Sequence, residues 1–304
     1  MKFLTNDRLL LLNSAISAAY QAGHLITRHS QQPLSVQNKA AGVSLASQVV
    51  TEVDHLCQEL ILATLLPTCE KFDIAVLSEE STDDKKRLQK DFFWCVDPLD
   101  GTLPFIEQTS GFAVSIALVS RSGVPIIGVI YDPLEQTLYH AIKDSGAFRN
   151  NNPWQLKPDL DLKGQYLTIV SDRSFVQQNY YAQIMAELKT IANTLGTEDI
   201  KTIQHGGAAM NACWVLENSP GCYFKFPKPQ NGGGSLWDYA ATACLFHEMG
   251  GIVSDIHGNP LDLNRSDSAF MNHKGIIYAS NVQIAEQIKT MYSRVSRMQK
   301  KSHG

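Results

Sequence analysis

Phe92-Phe93-Trp94-Cys95-Val96-Asp97-Pro98-Leu99-Asp100-Gly101-Thr102 is the stretch that decides how this chain folds. A short apolar run, too short for a helix, has the character of a buried strand, and Pro98 and Gly101 mark the turn that ends it. Asp97 and Asp100 therefore sit where a strand leaves the core. Carboxylates in such a place are costly unless they are paired or bound to a metal. Three residues apart across a tight turn, they can point to one spot, and hard oxygen ligands gathered there favour Mg²⁺.

Three other segments belong with it. Ser78-Glu79-Glu80 directly follows the apolar run 74–77, so Glu79 ends a neighbouring strand. Asp54 lies on a helix over 47–66. Gly234-Ser235-Leu236-Trp237-Asp238 opens a later helix over 237–249 that stops at Gly250-Gly251. Each has a bland reading of its own. The Asp97–Asp100 segment makes a good turn, Glu79-Glu80 a solvated strand end, Asp54 a helix-surface residue, and Ser235 with Asp238 a helix start. Together they describe a phosphoryl-transfer site, with metal-binding carboxylates on one side of a phosphate. The N–H groups of Gly101-Thr102 face its other side, where a helix begins with Pro104 in its first turn.

Outward from these segments, helical periodicity recurs over 7–30, 180–194 (stopped by Gly196), 206–216 and 282–297. The runs 112–119, 124–131 and 137–142 form a meander punctuated by Ser122-Gly123 and Asp132-Pro133. Strands over 167–170, 223–226, 252–253 and 275–279 complete the set. Helices, then a strand-rich block, then alternation of the two predicts stacked layers of sheet and helix. The polar stretch 150–164 predicts a junction between a domain over 1–158, with most metal ligands, and one over 159–304 with Asp238 and substrate contacts.

Glu79-Glu80, Asp97 to Thr102 and Trp237-Asp238-Tyr239-Ala240-Ala241 resemble the signatures of the inositol monophosphatase superfamily, and the likeness runs from about Asp7 to about Asn281. The superfamily includes inositol monophosphatases, fructose-1,6-bisphosphatases and 3′(2′),5′-bisphosphate nucleotidases. The resemblance implies a layered α/β/α/β/α sandwich and a phosphomonoesterase using Mg²⁺, two or three ions. It makes Glu79, Asp97, the Leu99 carbonyl, Asp100 and Asp238 the metal ligands. Thr102 and Asp54 match the pair that orients and activates the attacking water. Gly101 and Thr102, with the segment Gly206, Gly207 and Ala208, match the substrate side.

Three departures bear on substrate. Pro104 replaces a polar residue, and the loop 227–234 is longer than usual in the family. Inositol monophosphatases place an acidic residue a few positions before their Trp-Asp. Here the strand reads Tyr223-Phe224-Lys225-Phe226, with Lys228 after it. Lysine accepts no hydrogen bond from a hydroxyl but partners phosphate well. Lys225 thus favours a 3′(2′),5′-bisphosphate nucleotide, with inositol monophosphate or a broader set of sugar phosphates as the alternative. A regulator that binds metal or nucleotide without catalysis is a more distant one.

Composition narrows the partners. A chain of 304 residues with 18% charged residues and a net charge of −4 offers no basic field for a nucleic acid polymer. The Leu9–Leu12 run ends at Asn13, far short of the roughly 7–15 apolar residues of a signal core. No stretch approaches the roughly 18 apolar residues of a membrane span. The six cysteines lack a CxxC pair and read as reduced thiols. The expectation is a cytoplasmic enzyme of a small phosphorylated metabolite, with a homodimer left open. No Walker A or G-x-S-x-G segment occurs, and His247-Glu248 lacks the second histidine of a zincin helix.

Overall fold

The computed structural model describes residues 3–30, 45–156, 162–232 and 234–302. The expected domain junction at 158 and 159, and the middle of the glycine run at 233, lie outside the described residues.

The outermost layer is α1 (Thr5–Ser30) against α2 (Leu45–Phe72). Leu11, Leu12, Ala15, Ala18, Ala19, Ala22 and Ile26 recur at helical spacing along α1 and are all buried. By length and composition alone α1 could cross a membrane. The stripe that makes it so apolar packs on α2 and the first sheet.

That sheet has seven strands in chain order: β1 (Ala75–Ser78), β2 (Phe92–Asp100), β3 (Ala113–Ser120), β4 (Pro125–Asp132), β5 (Thr137–Ile142), β6 (Ala147–Arg149) and β7 (Asn152–Trp154). β1 runs parallel to β2, and the rest is an antiparallel meander. Its strands read as continuous apolar runs because both faces are covered. Trp94, Val96, Ile116 and Leu118 face α1 and α2. Phe93, Cys95, Ala117 and Val119 face the next layer, α5 (Ala208–Glu217) and α6 (Leu236–Met249).

Beyond these helices lies a five-stranded sheet in the order β11 (Ile252–Ser254), β12 (Ile276–Ala279), β10 (Gly221–Lys225), β8 (Tyr166–Val170), β9 (Asp199–Ile203). α4 (Tyr181–Leu195) and α7 (Val282–Ser302) cover its far face with Ile184, Leu188, Ile284 and Ile288. The architecture is the α/β/α/β/α sandwich that the motifs imply.

Three strands were not expected from the sequence. β6 and β7 are too short to carry a period. β9 reads Asp199-Ile200-Lys201-Thr202-Ile203 and lies at the sheet edge, largely exposed, where polar residues guard against further pairing. One core joins the two halves of the chain: Phe93, Cys95 and Ala117 pack with Tyr223, Tyr239 and Tyr278 around α5 and α6.

Candidate active site

The expected strand 92–96 continues to Asp100, and the irregularity in its last residues brings the carboxylates together. Asp97 pairs with Ser115 and Asp100 with Ala113. Three steps on β2 thus match two on β3, so one residue is bulged out. In a regular strand, residues three apart face opposite ways; the bulge returns Asp100 to the face of Asp97. Val96 and Leu99 fall together on the other face, among the side chains under α2. With its side chain buried there, Leu99 has only its backbone carbonyl for a ligand role.

Two helix starts meet this face. Asp100 accepts hydrogen bonds from the Ala208 N–H at 3.1 Å and the Ala209 N–H at 2.7 Å, the first turn of α5. This close approach needs glycine at 207, where a Cβ would strike the Asp100 carboxylate and the Gly101 nitrogen. Gly206 sits similarly tight against Trp214 and Asn211. At the start of α6, the Ser235 N–H donates to the Asp238 carboxylate. The Ser115 hydroxyl donates to the Trp237 carbonyl at 3.0 Å, which ties α6 to the very residue that pairs with Asp97.

Asp97, Asp100 and Asp238 each offer a carboxylate oxygen within 4.8 Å of the others. Burial first, then the fields of their acidic neighbours, hold Asp97 and Asp100 well above the usual carboxylate range. Burial raises Asp238 too, against the Ser235 N–H and the nearby Lys225. Glu79, at the end of β1, is raised to about 7 by burial and by Asp238, opposed by hydrogen bonds from Asp97 and the Trp237 indole. Among the described residues, no ion pair reaches these four groups. Closely spaced hard oxygen donors that resist ionising together fit a divalent cation, and Mg²⁺ above all.

The remaining expected residues surround this cluster. Gly101 takes a φ of 88°, and a Cβ there would meet the Gly111 carbonyl and Phe112. Thr102 opens the one-turn helix α3 (Thr102–Ile106) with its side chain exposed, and α3 packs on α2. Asp54, buried on α2, is raised to about 8 by desolvation and by the fields of Glu80 and Glu79. Among the described residues, no hydrogen bond joins Thr102 to Asp54; what relates the two is the packing of α3 on α2.

Lys225 is neither a solvated strand residue nor an unoccupied cation. Its Nζ lies 2.7 Å from Asp172 and 5.6 Å from the ring centres of both Tyr223 and Tyr239. Burial alone would lower it, but Tyr223, Tyr239 and Asp172 hold it well above the usual lysine range. Asp172 in turn accepts from the Tyr223 hydroxyl at 2.9 Å. Asp172 was missed in the sequence because nothing local marks it: its partner is 53 positions away (225 minus 172). Beside the pair lies a cavity of about 360 Å³, walled by Phe175, Tyr180, Phe226 and Lys228.

A five-layer sandwich with buried carboxylates gathered at two helix starts defines a class of phosphoryl-transfer enzymes that work through bound cations. The sequence matches the inositol monophosphatase family over residues 7–292, and the chain belongs to that family. It is a phosphoric monoester hydrolase. It is 32% identical over 248 residues to Nus factor SuhB of Escherichia coli strain K12, covering 82% of this chain and 86% of that one. It is 28% identical over 251 residues to human inositol monophosphatase 2, covering 82% of each. Among solved structures, inositol monophosphate-bound SaIMPase-II, a staphylococcal protein, superposes with a TM-score of 0.68 at 23% identity, covering 97% of this chain and all of that one.

Proposed function

We propose that this enzyme removes the phosphate from a monophosphate ester of a small polyhydroxylated molecule, with inositol monophosphate as the favoured substrate class. The observation that carries the choice is the Lys225–Asp172 pair at 2.7 Å. The lysine that would have received a second phosphate is already neutralised, and Asp172 offers the carboxylate that accepts substrate hydroxyls. The inositol monophosphatase among its relatives supports the same reading.

Mg²⁺ held by Glu79, Asp97, the Leu99 carbonyl, Asp100 and Asp238 would polarise the phosphate and offset its charge. The rest belongs to the chain. Gly101 and Thr102 hold the phosphate at the turn that leads into α3, and the Gly206–Ala208 backbone walls the substrate side. Thr102 orients the attacking water, and Asp54 accepts its proton. Desolvation and the fields of Glu80 and Glu79 raise that carboxyl to about 8, so it is a strong base once it has ionised beside a cation that offsets those charges.

A second reading, a 3′(2′),5′-bisphosphate nucleotide, is favoured by the cavity beside Lys225. Phe175, Tyr180 and Phe226 could stack a base, and Lys228 lies where a second phosphate would need a cation. Phosphate release from inositol monophosphate, adenosine 3′,5′-bisphosphate and fructose 1,6-bisphosphate, each with Mg²⁺, separates the two. Highest kcat/KM on inositol monophosphate is expected. A clear preference for the bisphosphate nucleotide, lost in Lys228→Glu, would establish the second reading instead.

A further inference from the structure

We propose that Gln58 is the positioning residue that sets Glu79 for metal binding. Gln58 lies on α2 with only 7% of its surface exposed, one helical turn beyond Asp54. Its Oε1 accepts from the Ser78 hydroxyl and, at 3.1 Å, from the Glu80 N–H. Its Nε2 donates to the Ser81 hydroxyl at 3.0 Å. One side-chain amide thus grips the residue before Glu79 and the two after it. The Glu79 N–H itself donates to the Val96 carbonyl at 3.2 Å, on the residue that precedes Asp97.

The backbone of Glu79 is therefore held from two sides, by the strand that carries Asp97 and by the helix that carries Asp54. Only the first hold comes from sheet pairing. Ser78 is the last paired residue of β1; beyond the Glu79 N–H bond to Val96 the chain turns away from β2, and Gln58 holds Glu80 and Ser81 from there on. A ligand must be placed to a fraction of an ångström, and its orientation is set by the groups that fix its backbone and side chain. Gln58 also couples the distance from Glu79 to Asp54, because both ends of that distance lie on, or are bonded to, the same turn of α2.

This inference rests on Glu79 being a metal ligand, and the test keeps the two claims apart. Full-length protein is titrated with Mg²⁺ while the rise in Tm and the rate of phosphate release are followed. Gln58→Met keeps the side-chain volume and removes all three hydrogen bonds. It is expected to raise the Mg²⁺ half-saturation in both readouts by roughly 10- to 100-fold, with KM at saturating Mg²⁺ unchanged. Ser81→Ala, at an exposed position, should shift it in the same direction by less. Thr68→Val removes a buried hydrogen bond to the Trp94 indole, 3.0 Å long, and should lower Tm without moving the Mg²⁺ half-saturation. A Gln58→Met protein that loses Tm but keeps the wild-type half-saturation overturns the inference. If that variant does not fold, an unchanged half-saturation in Ser81→Ala overturns it. Should Glu79→Gln bind Mg²⁺ as the wild type does, the ligand assignment itself falls, and this inference with it.

Discussion

Two groups of charge are built into the fold of this molecule, and they are completed in opposite ways. Arg87, fully buried between β1 and β2, donates to Asp83 at 2.9 Å and to Asn264 at 2.6 Å, and Asn264 donates in turn to the Arg87 and Arg121 carbonyls. That cluster is charge-paired within the chain, with Arg87 Nη2 2.8 Å from Asp83 though without an aligned hydrogen bond, and it rivets the loop after Glu79 to the loop after β11. The other cluster, Glu79, Asp97, Asp100 and Asp238, collects acids with backbone N–H donors but no ion pair among the described residues. The first stabilises the fold as it stands. The second gathers acids whose mutual repulsion a bound cation would relieve. A stability measurement on one and an activity measurement on the other should therefore diverge.

The largest divergence is expected for Asp97→Asn. Removing one of several like charges should leave the metal-free protein as stable as the wild type or more so, while Mg²⁺-dependent turnover disappears. Thermal unfolding without Mg²⁺ and phosphate release with it check both halves, and substantial turnover in the folded variant would overturn the metal assignment.

Thr102→Ala probes the chain's own chemistry beside the acids. It is expected to lower kcat by about 10²–10⁴-fold with the Mg²⁺ half-saturation unchanged, the size of a water-orienting or proton-transfer contribution. A higher KM with intact kcat would make Thr102 a binding residue only.

Arg87→Met tests the self-sufficient cluster. Leaving Asp83 and Asn264 without the guanidinium should cost about 3–5 kcal/mol, read from urea unfolding. The loss should be the same with and without Mg²⁺, unlike any change among the acids.

The smallest effect is a pH dependence away from both clusters. Asp132, buried at the end of β4, is raised to about 6 by burial, against the Glu135 and Leu134 N–H groups. Its folded form holds a proton more tightly than the unfolded chain, so stability is fully present below the unfolded value and is lost as pH rises towards about 6. Asp132→Asn, which still accepts those N–H bonds, should flatten that decline between pH 4 and 6 by up to about 3 kcal/mol. An unchanged slope in urea-unfolding series across that range would show that the carboxyl ionises freely in the fold.

How much of this was legible beforehand depends on how far apart the cooperating residues lie. The long helices and the meander could be read because their periods repeat within a dozen residues; Asp97 and Asp100 could be read as a candidate pair by their spacing, but the turn expected to join them is a bulged strand end. β9 escaped because an edge strand needs no apolar face. Gln58 escaped because an amide on a helix resembles any other polar surface residue until the loop it grips is folded against it. Lys225 was legible as an unusual residue but not in its role, since Asp172 reaches it only through the parallel pairing of β8 with β10.

From the sequence alone came the family and the reaction class, read from candidate carboxylates, a turn and helix starts. These follow from residue types at short spacing, where backbone geometry leaves few alternatives. Only the tertiary structure decided that one bulged residue turns Asp100 to the side of Asp97, that glycine lets α5 close on it, and that Lys225 is already paired. Each of these depends on groups far apart in the chain meeting within a few ångströms, and no local pattern encodes such a distance.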